Sequence, residues 1–502
     1  NGEMAALRPI VDAMPRERVD ASPELALAFA GSFLARGDLA RAEPFLAAAK
    51  EQACLVPVPR SPQFAATMAA INLYEGRLRG DLDAALPAAR RLLEGEVILE
   101  RGRLSGVVRA FVLAQLGIVE LWSGDLDAAT GHLERAYATA VEEASEWTAL
   151  AAASQLAMAR LLRGDLARAV RHADDAVGLA ERHGWARSEP AGAAYTVQAA
   201  VLIMRGRREE AVALIDRAGH ALRSTRDRPL RVAHALNRAL LLRDDGEPGA
   251  ALGVLQAARD ELGDWPLPAA LDDLLAAQEA LLRAAVGDRE AGRAMLERAG
   301  RERARSVAVA NALARLRLQD GDREAARLAV APHLRTGDGS PAGVVPLSGR
   351  AEAWLLDALA LDGLAAHEDA ARSLERALDI AEPAGLMRLL TEHGSVVRPL
   401  LHRHLRRGTA HPAMLAAAID ALDRGGRDTP RPGAPLLADP LSEREQSILR
   451  YLPTMMSNRE IAGELLVSVN TVKTHLKAIY RKLDAPSRRD AVDRAREFEL
   501  IP

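Results

Sequence analysis

The sequence predicts an all-α chain: a long stack of helix pairs that ends in a small helical domain. Three observations carry this. Glycines recur at a fixed spacing between Ala-rich stretches. The body shows no alternation of strand and helix patterns. Near the end, helix-start signals Ser-x-x-Glu sit before short apolar-periodic runs.

The repeat comes first along the chain. A helical pattern ends at a Gly, an Asp or Arg often follows, and an Ala-rich helix restarts. Clear copies are LARGDLARAEPFL from Leu34, LRGDLDAALPAARRL from Leu78, LWSGDLDAATGHLERA from Leu121 and LLRGDLARAVRHADDA from Leu161. Weaker copies start at Ile203, Leu241, Ala285, Leu318 and Leu361. The turn glycines Gly37, Gly80, Gly124, Gly164, Gly206, Gly246, Gly287 and Gly321 are 43, 44, 40, 42, 40, 41 and 34 residues apart. Two helices per unit at that period describe an α-solenoid. In one unit, Gly124 takes left-handed backbone, Asp125 caps the next helix, and Leu126, Ala129, Leu133 and Ala136 share one face. Small Ala residues let helices approach closely, so a stack is possible with 3% aromatics.

Two Gly/Pro-rich segments interrupt the pattern. Arg335 to Gly349 reads as a loop between repeats. Arg424 to Pro440, RGGRDTPRPGAPLLADP, reads as an extended mobile linker. The expected organisation is a repeat domain over 1–423, a linker over 424–440 and a terminal domain over 441–502.

The terminal domain carries the chemistry. Ser442 with Glu445 and Ser457 with Glu460 form capping-box patterns, Ser468 is a good N-cap, and Ser487 with Asp490 resembles a further start. One helix face holds Ile461, Ala462, Leu465 and Leu466, and the next holds Val472, Leu476, Ile479 and Leu483. Only Val467, Ser468 and Val469 separate the two, so the helices must cross steeply. The opposite stripe of the second helix is Lys473, Thr474, Lys477 and Arg481. Of 66 Lys plus Arg only four are Lys, and Lys473, Lys477 and Lys482 fall on this helix. From Ser468 to Arg489 there are six cations and one acid, within a chain of net charge −3. An acidic body with one basic end delivers a single patch to a phosphate backbone.

The motifs Leu441-Ser442-Glu443-Arg444-Glu445, Ser457-Asn458-Arg459-Glu460-Ile461-Ala462, Ser468-Val469-Asn470-Thr471-Val472-Lys473-Thr474-His475-Leu476-Lys477 and Tyr480-Arg481-Lys482-Leu483 resemble the LuxR-type DNA-binding domain. The resemblance implies four helices, the third entering the major groove of double-stranded DNA. It puts Lys473, Thr474 and Lys477 at base edges and Ser468, Asn470, Thr471, His475, Arg481 and Lys482 near phosphates. One departure is Met455, where the family usually has a helix-ending Gly. The repeats are similar to tetratricopeptide repeats in the longer, degenerate form of large LuxR-family regulators, the ATP-binding, maltose-regulator-like type. The segment from Ala381 to Leu405 resembles the element that closes those repeats, with Leu390 where an aromatic is usual.

Such regulators usually begin with an ATPase domain. Its phosphate loop needs a Gly-Lys pair, and the four lysines here follow Ala49, Val472, Leu476 and Arg481. The chain begins at Asn1 rather than Met, and its opening resembles the junction after such a domain, as expected either of a piece of a longer protein or of a naturally short one. Cys54 is the only cysteine, no Cys/His cluster has zinc spacing, and no nucleophile elbow is present. No cofactor, metal or enzymatic activity is therefore expected. No signal peptide or membrane span is read, the most Ala/Leu-rich stretch being Trp147 to Leu162, so the expected compartment is the cytoplasm. His402 and His404 lie about 160° apart around a helix and are read as surface cations rather than metal ligands. His172 and His183 are read as exposed, and the five Trp residues as solenoid core.

The functional expectation is a sequence-specific transcription regulator. Its solenoid senses an unknown ligand or protein, and its helix-turn-helix binds DNA as a homo-oligomer. The rival is a repeat-based interaction scaffold whose terminal domain docks proteins.

Overall fold

Gly124 ends one helix at φ +90°, and the Asp125 carboxylate accepts the Ala128 N–H to start the next at 3.2 Å. The same left-handed turn recurs at Gly80, Gly164, Gly206, Gly246, Gly287 and Gly321. Asp38, Asp165 and Asp322 cap helices as Asp125 does. The ninth copy departs: Gly363 stays helical, and Ala365 takes the positive φ of 62°. Gly37 lies outside the described residues.

This is a computed structural model that describes, with short gaps, residues 21–82, 105–334, 347–428 and 445–497. It divides into two compact units, Asn1–Leu422 and Asp423–Pro502. In the first unit α1 (Pro23–Leu34), α2 (Leu39–Glu51) and α3 (Ser61–Arg79) lead into regular pairs. These are α4 (Gly106–Ser123) with α5 (Leu126–Glu142), α6 (Glu146–Leu162) with α7 (Leu166–Arg182), and α8 (Glu189–Met204) with α9 (Arg208–Ala221). They continue as α10 (Arg228–Asp244) with α11 (Pro248–Leu262), α12 (Ala269–Ala285) with α13 (Arg289–Glu302), α14 (Val307–Gln319) with α15 (Arg323–Val330), and α16 (Leu347–Gly363) with α17 (His367–Ala384). The unit closes with α18 (Met387–Thr391), α19 (Arg398–Arg407) and the first part of α20 (Pro412–Asp428), whose residues from Asp423 fall in the second unit.

The two members of a pair differ. Helices α4, α6 and α8 are buried nearly all round. Helix α7 buries a single stripe, Leu166, Ala169, Ala173, Ala176 and Ala180. Helix α4 is long and apolar enough to cross a membrane by length and composition, which the sequence reading passed over. It is 72% buried inside the solenoid, where a central helix needs the same composition. Trp122 and Trp265 are core, whereas Trp147, Trp185 and Trp354 are half-buried.

The solenoid meets itself where the end of α3 reaches the start of α10. Arg77 Nη1 lies 3.3 Å from Asp227, 150 positions on. A second closure centres on Glu392, which receives Arg243 at 2.9 Å, together with Arg315 and Arg388. Burial opposes the Glu392 charge, but the three guanidiniums outweigh it and hold its carboxyl well below the usual range. His393 beside it is kept neutral, burial pushing it down to about 3.

Several expectations change. Helix α20 runs to Asp428, so 424–428 is helix rather than linker. Met414, Leu415, Ala418 and Ile419 anchor it, and the two glycines cost only about 1 kcal/mol each. The remaining linker residues, 429–440, lie outside the described residues. Likewise Leu347–Gly349 opens α16, held by Asn311 Nδ2 donating to the Gly349 carbonyl at 2.9 Å, and 335–346 lie outside the described residues. His404 is 5% exposed, not a surface cation, and bonds Glu375 at 2.6 Å. His183 is exposed and stacks on Trp185, while His172 is half-buried.

Candidate nucleic-acid interface

The second unit has its own core. Ile448, Leu449, Leu452, Ile461, Ala462, Val472, Leu476, Ile479, Leu483, Ala491, Val492 and Ala495 form one cluster. Around it stand α21 (Asn458–Glu464), α22 (Val469–Lys482) and α23 (Arg488–Glu497), after a first segment ending near Leu452.

Local chemistry sets each helix start. Ser457 N donates to Glu460 Oε2 at 2.7 Å, and Glu460 N donates back to Ser457 Oγ at 3.4 Å, a complete capping box. The Ser457 backbone N–H holds the Glu460 carboxyl below its usual range. Ser468 Oγ accepts the Thr471 N–H at 3.0 Å and meets Thr471 Oγ1 at 2.7 Å. Asp490 N donates to Ser487 Oγ at 3.2 Å. Ser442, the other expected cap, lies outside the described residues. So do Met455, Leu465, Leu466 and Val467, while Val469 opens α22 rather than belonging to the turn.

Helix α22 is two-faced. Val472, Leu476, Ile479 and Leu483 are buried. Lys473, Thr474 and Lys477 are exposed on the other side, with Asn470 and Ser468 exposed at the N-terminus and Thr471 and His475 half-buried. The Thr474 hydroxyl donates to the Asn470 carbonyl at 2.9 Å, so its one proton is used and it presents lone pairs and a methyl. The Arg481 side chain lies outside the described residues.

Two cations counted in the basic patch have structural partners. Lys482 Nζ lies 3.0 Å from Glu445, both side chains largely buried. Arg488 donates to the carbonyls of Tyr451 and Leu452, each at 3.1 Å, and so satisfies helix-end acceptors. Neither role was visible in the sequence, since the partners are 36 and 37 positions away.

This geometry agrees with the family matches. Residues 439–495 match the bacterial regulatory proteins of the luxR family. Residues 105–407, more than half of the chain, match the MalT-like TPR region. The chain belongs to the LuxR-type regulators with a MalT-like repeat region. Among solved structures, this regulator is similar to a Rap protein complexed with competence and sporulation factor, at 14% identity and TM-score 0.50. That match covers 74% of this chain and 99% of the other. It is also similar to a human IFIT1 dimer with m7Gppp-AAAA, at 14% identity and TM-score 0.41, over 81% and 89% of the two chains. The Rap likeness supports the solenoid fold alone. The luxR-type domain makes this a DNA-binding transcription regulator.

Proposed function

We propose that the regulator binds double-stranded DNA sequence-specifically, with α22 in the major groove. The observation that carries this is the split of α22 into an apolar inner face and an outer face of Lys473, Thr474 and Lys477. The lysines donate to base acceptors such as those of guanine. Thr474, its proton already committed, offers its methyl to thymine or accepts from an exocyclic amine. Ser468, Asn470, Thr471 and His475 surround the positive end of α22 and Arg481 lies further along, positions suited to phosphates. Lys482, engaged by Glu445, is assigned to the fold of the domain instead. The solenoid senses a ligand or partner protein, and the regulator acts in the cytoplasm as a homo-oligomer on paired half-sites. Selection from random duplexes tests the reading. A single enriched motif is expected, and uniform recovery of all sequences would favour the interaction scaffold.

A further inference from the structure

Where the start of the solenoid meets its next turn there is a cavity of about 160 Å³. One wall comes from α2 and α3, through Leu39 and Leu78. The other comes from the start of α10 and the end of α11. Arg226, Arg228 and Arg231 face it, against one carboxylate, Glu261. Three cations less one acid leave two positive charges in excess.

The arginines are held in different ways. Arg231 Nη2 reaches Glu261 at 2.7 Å. Arg228 Nη1 donates to the Leu262 carbonyl at 2.8 Å, with its guanidinium 5.0 Å from the Trp265 ring centre. Arg226 is exposed and has no ion pair among the described residues. The backbone that carries them is anchored from below. Asp227 accepts the Leu230 N–H at 3.2 Å and faces buried Arg77 at 3.3 Å, and Thr225 bonds Glu189. The site is therefore preorganised by the contact that closes the turn.

We infer that this cavity binds a compact organic anion, one carboxylate or phosphate carried on a single-ring or similar apolar body. An apolar cavity of about 150 Å³ accommodates benzene, which sets the size of the body. Guanidinium forks match carboxylate and phosphate oxygens, which sets the head group. A molecule seated there touches α2 and α3 with its body and α10 with its charge, so it favours the closed turn over an opened one. This deepens the sensing role proposed above and rests on it only for the consequence at DNA.

Calorimetric titration of the full chain tests it with four probes. Phenyl phosphate and phenylacetate carry both features and separate the two head groups. Inorganic phosphate lacks the body and benzyl alcohol lacks the charge. At least one ring anion should bind one per chain with a Kd of about 1 mM or tighter. Arg226→Glu should weaken it about tenfold, and Leu78→Trp, which fills the cavity, should abolish it while the helical circular dichroism is kept. If neither ring anion saturates, if benzyl alcohol binds as well as they do, or if both variants bind like the parent, the site is wrong. Should Leu78→Trp fail to fold, the Arg226→Glu comparison decides alone. Saturable binding that leaves DNA affinity unchanged would establish the site and overturn its use as an effector site.

Discussion

Lys482 Nζ lies 3.0 Å from a carboxylate oxygen of Glu445, joining the end of α22 to a residue 37 positions earlier. The pair is largely buried, with side-chain exposures of 13% and 7%. Removing one partner of a buried pair strands the other charge, so Lys482→Ala should cost roughly 3 kcal/mol of stability. Denaturant unfolding of the DNA-binding unit measures this. The salt slope of DNA binding should stay as it is. A slope lower by about one, with stability unchanged, would return Lys482 to the phosphate contacts.

Lys473 and Lys477 stand exposed with no such partner among the described residues, and their loss should be felt at DNA instead. Lys473→Ala and Lys477→Ala should each weaken the preferred site by about 1–3 kcal/mol relative to random duplex. Arg481→Ala should weaken both equally and reduce the salt slope by about one. Competition binding at several salt concentrations separates these effects. Equal losses on all sequences for all three variants would refute the division into base and phosphate contacts.

Much of this was legible in the sequence for a physical reason. Helix starts and stops are local, so Ser457 with Glu460, Ser468 with Thr471, and Gly124 with Asp125 could be read from neighbouring residues. The faces of α22 followed from spacing alone. What escaped was non-local. Lys482 and Arg488 look like free cations until Glu445 and the Tyr451 and Leu452 carbonyls come near. His404 looked like a surface cation until Glu375 was placed beside it. The turn-closing contacts of Arg77 with Asp227 and Arg243 with Glu392 span 150 and 149 positions, far beyond any local pattern. Helix α20 outran its glycines because tertiary packing overrides propensity.

The turn glycines are not equivalent. Gly80 and Gly124 have φ of +80° and +90°. An alanine at either should cost about 1–2 kcal/mol in left-handed backbone. A Cβ at Gly124 meets nothing within 4 Å, whereas one at Gly80 falls 3.0 Å from the Trp265 ring, across the closure of the solenoid. Gly80→Ala should therefore be the more damaging, and near-ultraviolet circular dichroism should report the displaced Trp265. Equal losses in thermal midpoint would mean that the ring moves aside freely.

His411 gives the solenoid a measurable pH dependence. Burial works to lower its pKa, but Glu382 at 2.5 Å and Asp379 at 3.1 Å outweigh that and raise it. Arg376 pairs with Asp379 at 3.6 Å, and the nearby Glu375 is occupied by His404, Thr409 and the Ala410 N–H. A raised histidine stabilises fully below its unfolded value of about 6.5, and that contribution fades as pH rises through the folded value. His234 and His393 shift the opposite way, losing stability as pH falls, so the difference between parent and variant isolates His411. The stability advantage of the parent over His411→Gln should shrink as pH rises from about 6 to about 8. An advantage that stays constant would show that the histidine does not change charge in that range.

Among the described residues the core of the second unit is drawn from residues 448 to 495, which gives that unit the means to fold by itself. A fragment from Pro440 to Pro502 should unfold in one cooperative transition and bind the same DNA motif as the full chain. Its affinity should be lower, because modules linked in an oligomer raise the effective concentration of the second contact. The α20 boundary refines where a protease should act. Arg424 and Arg427 sit on a helix that continues to Asp428, so trypsin should not open them first. Arg431 precedes Pro432 and resists as well. Thermolysin, which cleaves before Leu, should instead release the terminal unit at Leu436 or Leu437. Initial nicks within the repeats, with 429–440 left intact, would mean that this segment is docked. An autoinhibited arrangement would then replace the picture of two independent units.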